Sequence, residues 1–196
     1  MDIDNRIEFW NWFKTISDDL FLDPTRSDLI QQIDHLINKL GVFDWEIGPW
    51  GEHTYYFAIS PNLDSDKLYF TREFIEYAPM CSGWFFLSSK PVKNDWKGIW
   101  KMQNEFGKDI LVDSNNWKYI LYEFEDETFD IDIMIDNVDG DDNTANTAID
   151  IALTSYLGEE DYMTLIKNVK IVDFFEEEHQ NKATPIKYIK KHIESI

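Results

Sequence analysis

Basic residues and cysteine are what this sequence has least of. Eighteen Lys and Arg stand against 38 Asp and Glu in 196 residues, a net charge of −20 at pH 7. A field of that sign repels phosphate, so it argues against nucleic acid and anionic membrane surfaces as partners and favours cationic ones. The single cysteine, Cys81, excludes an intramolecular disulfide and a thiolate metal cluster, which fits a reducing compartment. No apolar run approaches the ~20 residues that span a bilayer. The opening Met1-Asp2-Ile3-Asp4 offers neither the basic nor the apolar region of a secretory signal, so a cytoplasmic protein is expected.

Catalytic signatures are equally sparse. His35, His53, His179 and His192 show no HxH or HExxH spacing, and no metal or cofactor is expected from them. Neither a GxSxG elbow nor a Gly-Lys-Ser/Thr phosphate loop occurs. Cys81 follows an expected helix end, where no helix N-terminus activates its thiol, and reads as inert. In so acidic a chain, any chosen pair of carboxylates is uninformative as a general acid and base.

What the chain does have is aromatic bulk: 8 Trp, 9 Tyr and 14 Phe. At this length folding buries roughly 70% of the unfolded chain's surface, so one domain over residues 1–196 with a sizeable core is expected. Asn5-Arg6-Ile7-Glu8 reads as a capping box before Phe9, Trp10, Trp12, Phe13, Ile16 and Leu20, predicting a helix over 6–21. Its aromatics point around more than one stripe, so some face a second layer of the fold or an exposed docking patch. Asp23-Pro24-Thr25 opens a second helix through Leu29, Ile33, Leu36, Ile37 and Leu40, with Gly41 as its left-handed cap.

Strand patterns follow: 42–47, a Gly48-Pro49-Trp50-Gly51 turn, then 55–60. A helix opened by Asp64 or Ser65 carries Leu68, Tyr69, Ile75 and Ala78, and a strand over 83–87 completes a ββαβ order. The same order recurs with strands at 118–125 and 129–137, a helix over 144–157 capped by Asn143 or Thr144 and ended by Gly158, and a strand over 169–175. The expected fold class is α+β: an N-terminal helix pair, then two ββαβ units forming a mixed, mostly antiparallel sheet with helices packed against it. Residues 90–116 stay unassigned. Thr184-Pro185 starts a last short helix in the only cluster of lysines.

Phe9-Trp10-Asn11-Trp12-Phe13, Ala78-Pro79 with Gly83-Trp84 and Lys90-Pro91, and Leu157-Gly158-Glu159-Glu160 together resemble a family of uncharacterised cytosolic bacterial proteins. The resemblance covers most of the chain and implies one compact domain. It implies no activity, and it carries over no catalytic or binding residue.

The strongest local feature is 123–142, with ten acids in twenty positions and no Lys or Arg. Phe129, Ile131, Ile133 and Ile135 alternate with Asp130, Asp132, Met134 and Asp136, so a strand buries the first set and projects acids from its other face. Like charges two residues apart repel, which suits a solvated face, a basic partner or a cation. The acids miss the EF-hand register: counting from Asp136, positions 3 and 5 are Val138 and Gly140. The reading adopted is a non-enzymatic interaction module that presents Asp130, Asp132, Asp136, Glu125 and Glu127 to a basic protein. An immunity-type inhibitor of a cationic toxin or nuclease is its concrete form. The alternative is an enzyme acting on a cationic or metal-bound small substrate through Asp130, Asp132 and Asp136 with a histidine.

Overall fold

The computed structural model describes residues 3–196, with side chains from Asn5 onward, so the opening Met1-Asp2 of the secretory-signal argument lies outside the described residues. The fold is α+β, and the chain divides into two compact units, 1–90 and 91–196.

In the first unit, α1 (Ile3–Leu22) and α2 (Ser27–Leu40) form the expected helix pair. Helix α1 begins before Asn5, so the proposed capping box lies inside it. Asp23 does not open α2: its Oδ1 accepts from the Thr25 N–H at 3.0 Å, closing a turn, and the helix begins two residues further on. Gly41 follows α2 at φ 146° and ψ −166°, outside the left-handed helical conformation expected of it. Strands β1 (Asp44–Pro49) and β2 (Tyr55–Ser60) pair antiparallel. Helix α3 (Ser65–Glu76), capped by the Asp64 carboxylate on the Asp66 N–H, returns the chain to β3 (Trp84–Leu87) parallel to β2. The sheet order β1-β2-β3 puts β2 in the middle, and residues 56–60 of that strand are buried at every position.

The aromatic surplus of α1 goes into this core. Phe9, Trp10 and Phe13 are all buried against Phe57, Phe74 and Trp84, and Trp12 packs partly buried on the same cluster. Two indoles also reach backbone acceptors: Trp10 Nε1 donates to the Phe74 carbonyl at 2.7 Å and Trp84 Nε1 to that of Ser17 at 3.1 Å. A buried tryptophan needs such a partner for its N–H.

In the second unit, the unassigned stretch contains β4 (Ile99–Gln103) and β5 (Asp109–Asp113), an antiparallel hairpin that is a two-stranded sheet of its own. Strands β6 (Lys118–Glu123) and β7 (Phe129–Met134) pair antiparallel. Helices α4 (Asp142–Leu157) and α5 (Glu159–Leu165) then bring β8 (Ile166–Ile171) parallel to β7. Both units therefore repeat one order and one pairing, an antiparallel hairpin whose second strand takes a parallel third. The expected single joined sheet is instead three sheets among the described residues. In the second unit β9 (Thr184–Pro185) pairs with Lys118 and Tyr119 at the start of β6, giving the order β8-β7-β6-β9. The expected last helix is thus a two-residue strand, a 3₁₀ turn at 186–188 and α6 (Ile189–Ile193).

The α4 cap is Asp141, whose carboxylate accepts from the Thr144 N–H at 2.9 Å, and neither Asn143 nor Thr144. Gly158 ends α4 but also opens α5, because three consecutive acids, Glu159 to Asp161, suit a helix N-terminus; the final strand accordingly begins at Ile166 and ends before 175. The core lies between the sheet and the helices: Phe129, Ile131 and Ile133 meet Ala148, Ile149, Ala152 and Leu153, with Trp117, Tyr119, Ile186 and Ile189.

Candidate acidic cleft on the four-stranded sheet

Alternation along β7 sends Phe129, Ile131 and Ile133 into that core and leaves Asp130 and Asp132 on the opposite face. Register fixes their neighbours: Asp130 lies between Tyr122 and Asn168, Asp132 between Ile120 and Lys170. The repulsion between the two acids is moderated by neutral donors. Asn168 Nδ2 donates to Asp130 Oδ1 at 2.8 Å, and the Tyr122 hydroxyl donates to Asp132 Oδ2 at 3.1 Å. Among the described residues neither carboxylate has an ion pair, and the nearest cation by register is Lys170 beside Asp132.

The other proposed partner residues are spread along the hairpin. Glu125 and Glu127 are exposed in the turn joining β6 to β7, where Glu127 adopts φ 61°. Asp136 is exposed beyond the far end of β7, and its carbonyl accepts from Trp117 Nε1 at 3.2 Å. Only Asp130 and Asp132 of the five share a sheet face; at about 3.3 Å per residue, Glu127 and Asp136 are separated by up to about 30 Å of chain. The turn is partly neutralised: Lys167 Nζ lies 2.8 Å from Asp126 and over the Phe124 ring. The Lys167 and Thr128 hydrogen bonds hold the Asp126 carboxyl down at about 2.

The acidic face is not uniformly open. After β8 the chain folds back, anchored by the Val172 N–H on the Ile133 carbonyl at 2.9 Å and by the buried Phe175, and it closes in a turn where the His179 N–H donates to the Glu176 carbonyl. This segment covers Ile120 and walls a cleft of about 390 Å³ floored by Ile120, Tyr122, Asp132 and Lys170. Asp173, Phe174, Glu176 and His179 line it from the segment. The Tyr122 and His179 rings meet edge to face at 6.3 Å. Desolvation, the Asp132 hydrogen bond and the Glu176 charge all push the Tyr122 phenol up, so it stays a neutral donor.

Sequence reading missed this wall, because Asp132 and His179 are 47 positions apart and residues 172–175 read as the end of a strand that in fact stops at Ile171. The enzymatic alternative asked for Asp130, Asp132 and Asp136 with a histidine. His179 lines one cleft with Asp132, while Asp130 faces Asn168 and Asp136 lies past the strand end. Of the other histidines, His35 and His53 are exposed, and His192 Nδ1 shares a 2.8 Å hydrogen bond with the buried Tyr119 hydroxyl. The one group of potential metal ligands among the described residues is Glu176, Glu178 and His179, whose ligand atoms lie within 4.8 Å of one another on a single exposed turn. Cys81 is a half-buried free thiol after α3. No described helix is long and apolar enough to cross a membrane.

No family model, curated protein or solved structure matches this chain.

Proposed function

We propose that the chain is a non-enzymatic interaction module whose acidic sheet face receives a basic protein, with the immunity-type inhibitor of a cationic toxin or nuclease as its concrete form. The observation that carries this reading is the state of Asp130 and Asp132: two neighbouring carboxylates on one face, each bonded to a neutral donor and neither in an ion pair among the described residues. A partner that brings Lys or Arg to this face relieves their repulsion as well as adding attraction. Residues 91–196 supply 23 acids against 11 lysines, so the field around that face favours a cationic partner at a distance as well as in contact. The resemblance to cytosolic bacterial proteins is compatible with a cytoplasmic partner.

Capture of partners from the native cytosol at low and high salt, read by mass spectrometry, tests the reading. Association with the captured protein is then followed by stopped flow for the parent and for the triple variant Asp130→Asn, Asp132→Asn, Asp136→Asn. Steering raises association rates by roughly 10–10³ and fades as the Debye length falls from about 10 Å at 0.1 M salt to about 3 Å at 1 M. The variant is expected to bind more slowly at low salt and like the parent at high salt. Equal rates at low salt reduce these acids to a solvated surface.

A further inference from the structure

Resting on that reading, we infer that the cleft floored by Tyr122 and Asp132 is the socket for one arginine side chain of the basic partner. The acids at large attract any cation, whereas the cleft has a shape and a chemistry that single out a guanidinium. Asp132 is half-buried, and only one of its oxygens is engaged, by the Tyr122 hydroxyl at 3.1 Å. Its second oxygen has no hydrogen bond among the described residues, and a carboxylate withdrawn from water in this way gains most from a charge-assisted donor. Lys170, across the register from Asp132, forms no ion pair with it among the described residues, so the position is not already filled by the chain's own cation.

The walls add what a flat planar cation uses. The Tyr122 and His179 rings and the mostly exposed Phe174 line the same space, and an aromatic face attracts a guanidinium while its edges bind carboxylates. Asp173 and Glu176 are exposed on the covering segment, where they receive the outer N–H groups. At about 390 Å³ the cleft accommodates a single long side chain and lies at the small end of ligand sites. A buried arginine in a central pocket ringed by weaker contacts is a common anchor of protein interfaces. Lysine, a point charge without a planar fork, cannot bind the carboxylate in bidentate fashion or stack flat on the rings as a guanidinium does.

The test uses the full chain, isotope-labelled, in low-salt buffer containing EDTA, titrated with N-acetyl-arginine amide, N-acetyl-lysine amide and the uncharged isostere N-acetyl-citrulline amide. Amide shifts are expected to saturate at residues 120–122, 132 and 170–179 with the arginine probe, more weakly with lysine, and not with citrulline. Asp132→Asn keeps an acceptor for Tyr122 and is expected to weaken arginine binding roughly tenfold, the usual loss for a hydrogen bond to a charged group. Tyr122→Phe gives a second, smaller loss, and Asp109→Asn, an exposed acid on the separate β5 strand, none. Equal binding by all three acid-to-amide and parent proteins, or shifts spread over 123–142 with none in the cleft, overturns the socket and leaves the acidic-face reading standing. A deca-arginine peptide that fails to bind at low salt defeats both.

Discussion

Replacing Trp10 with alanine tests the packing of the first unit most directly. The indole is 2% exposed and meets five aromatic rings, with centroids 4.8 Å away at Phe74 and Phe86, 5.0 Å at Phe9, 5.7 Å at Phe13 and 6.0 Å at Phe57. Removing a large core side chain that its neighbours cannot collapse onto costs about 3–5 kcal/mol. The lost 2.7 Å bond from Nε1 to the Phe74 carbonyl adds about 1 kcal/mol, and no more, because that carbonyl keeps the Tyr77 N–H at 3.3 Å. A total of about 4–6 kcal/mol is comparable with the whole stability of a small domain, so Trp10→Ala is expected to be largely unfolded at 37 °C. Trp10→Phe keeps the ring contacts and forfeits the hydrogen bond and some volume, for about 1–2 kcal/mol. Urea titrations followed by circular dichroism avoid the confusion of deleting a fluorophore, and hydrogen exchange in the phenylalanine variant is expected to loosen α1, α3 and β2 first. A Trp10→Ala protein within about 1 kcal/mol of the parent refutes the core assignment, and α1 then presents its aromatics outward.

Three further outcomes are expected. Burial holds the Asp150 carboxyl above its ordinary 3.8, so the folded state takes up its proton more readily than the unfolded chain does, and stability falls as pH rises from about 4 through the folded value. Asp150→Asn, still able to accept from Tyr162, is therefore expected to raise the melting temperature at pH 7 and leave it unchanged at pH 3; a loss at pH 7 means that the 2.7 Å bond from the Tyr162 hydroxyl to the ionised Asp150 carboxylate outweighs burial. Asp141→Ala is expected to cost about 1 kcal/mol by uncapping α4, with Asn143→Ala near zero, and the reverse order in thermal melts restores the cap to Asn143. Saturating Mg²⁺ or Ca²⁺ is expected to leave the melting temperature unchanged, since Glu176, Glu178 and His179 share one exposed turn; a chelator-reversible rise of several degrees, the mark of a ligand at a hundred times its dissociation constant, counts against that.

Much of the fold was legible because its signals are local. The two-residue alternation from Phe129 to Asp132, the helical spacing of α2 and the Gly83-Trp84 strand each need only a few neighbouring residues. Element order then followed, including the repeat of one ββαβ arrangement. Sheet membership did not follow, because the strand beside β6 is Thr184–Pro185, more than sixty residues on and too short to have a period. The β4 and β5 hairpin had a readable pattern, Trp100 and Met102 against Ile110 and Val112 around the Asn104 to Gly107 turn, which the intervening polar residues obscured. The acids of β7 were visible as acids, but the sequence held no sign of which one would be roofed. Asp132 differs from Asp130 through its cross-strand neighbours and through the return of residues 172–179, both tertiary events.

The margins of the four-stranded sheet bear on how this protein behaves in a crowded solution. One margin is β9, two residues long and ending in Pro185, which has no N–H to offer another strand. The other is β8, whose Lys167 and Lys170 side chains are exposed and must be desolvated before a foreign strand can pair there. Edge-to-edge addition, the opening step of aggregation for many β proteins, is therefore disfavoured at β9, which covers Lys118 and Tyr119 of β6, by the missing N–H, and at β8 by charge. Its apolar residues Phe129, Ile131 and Ile133 are sealed beneath α4, and like-charged molecules keep their distance. The short β9 margin and the lysines of β8 therefore leave this sheet few places for a foreign strand to pair, and the net negative charge adds repulsion between copies of the chain.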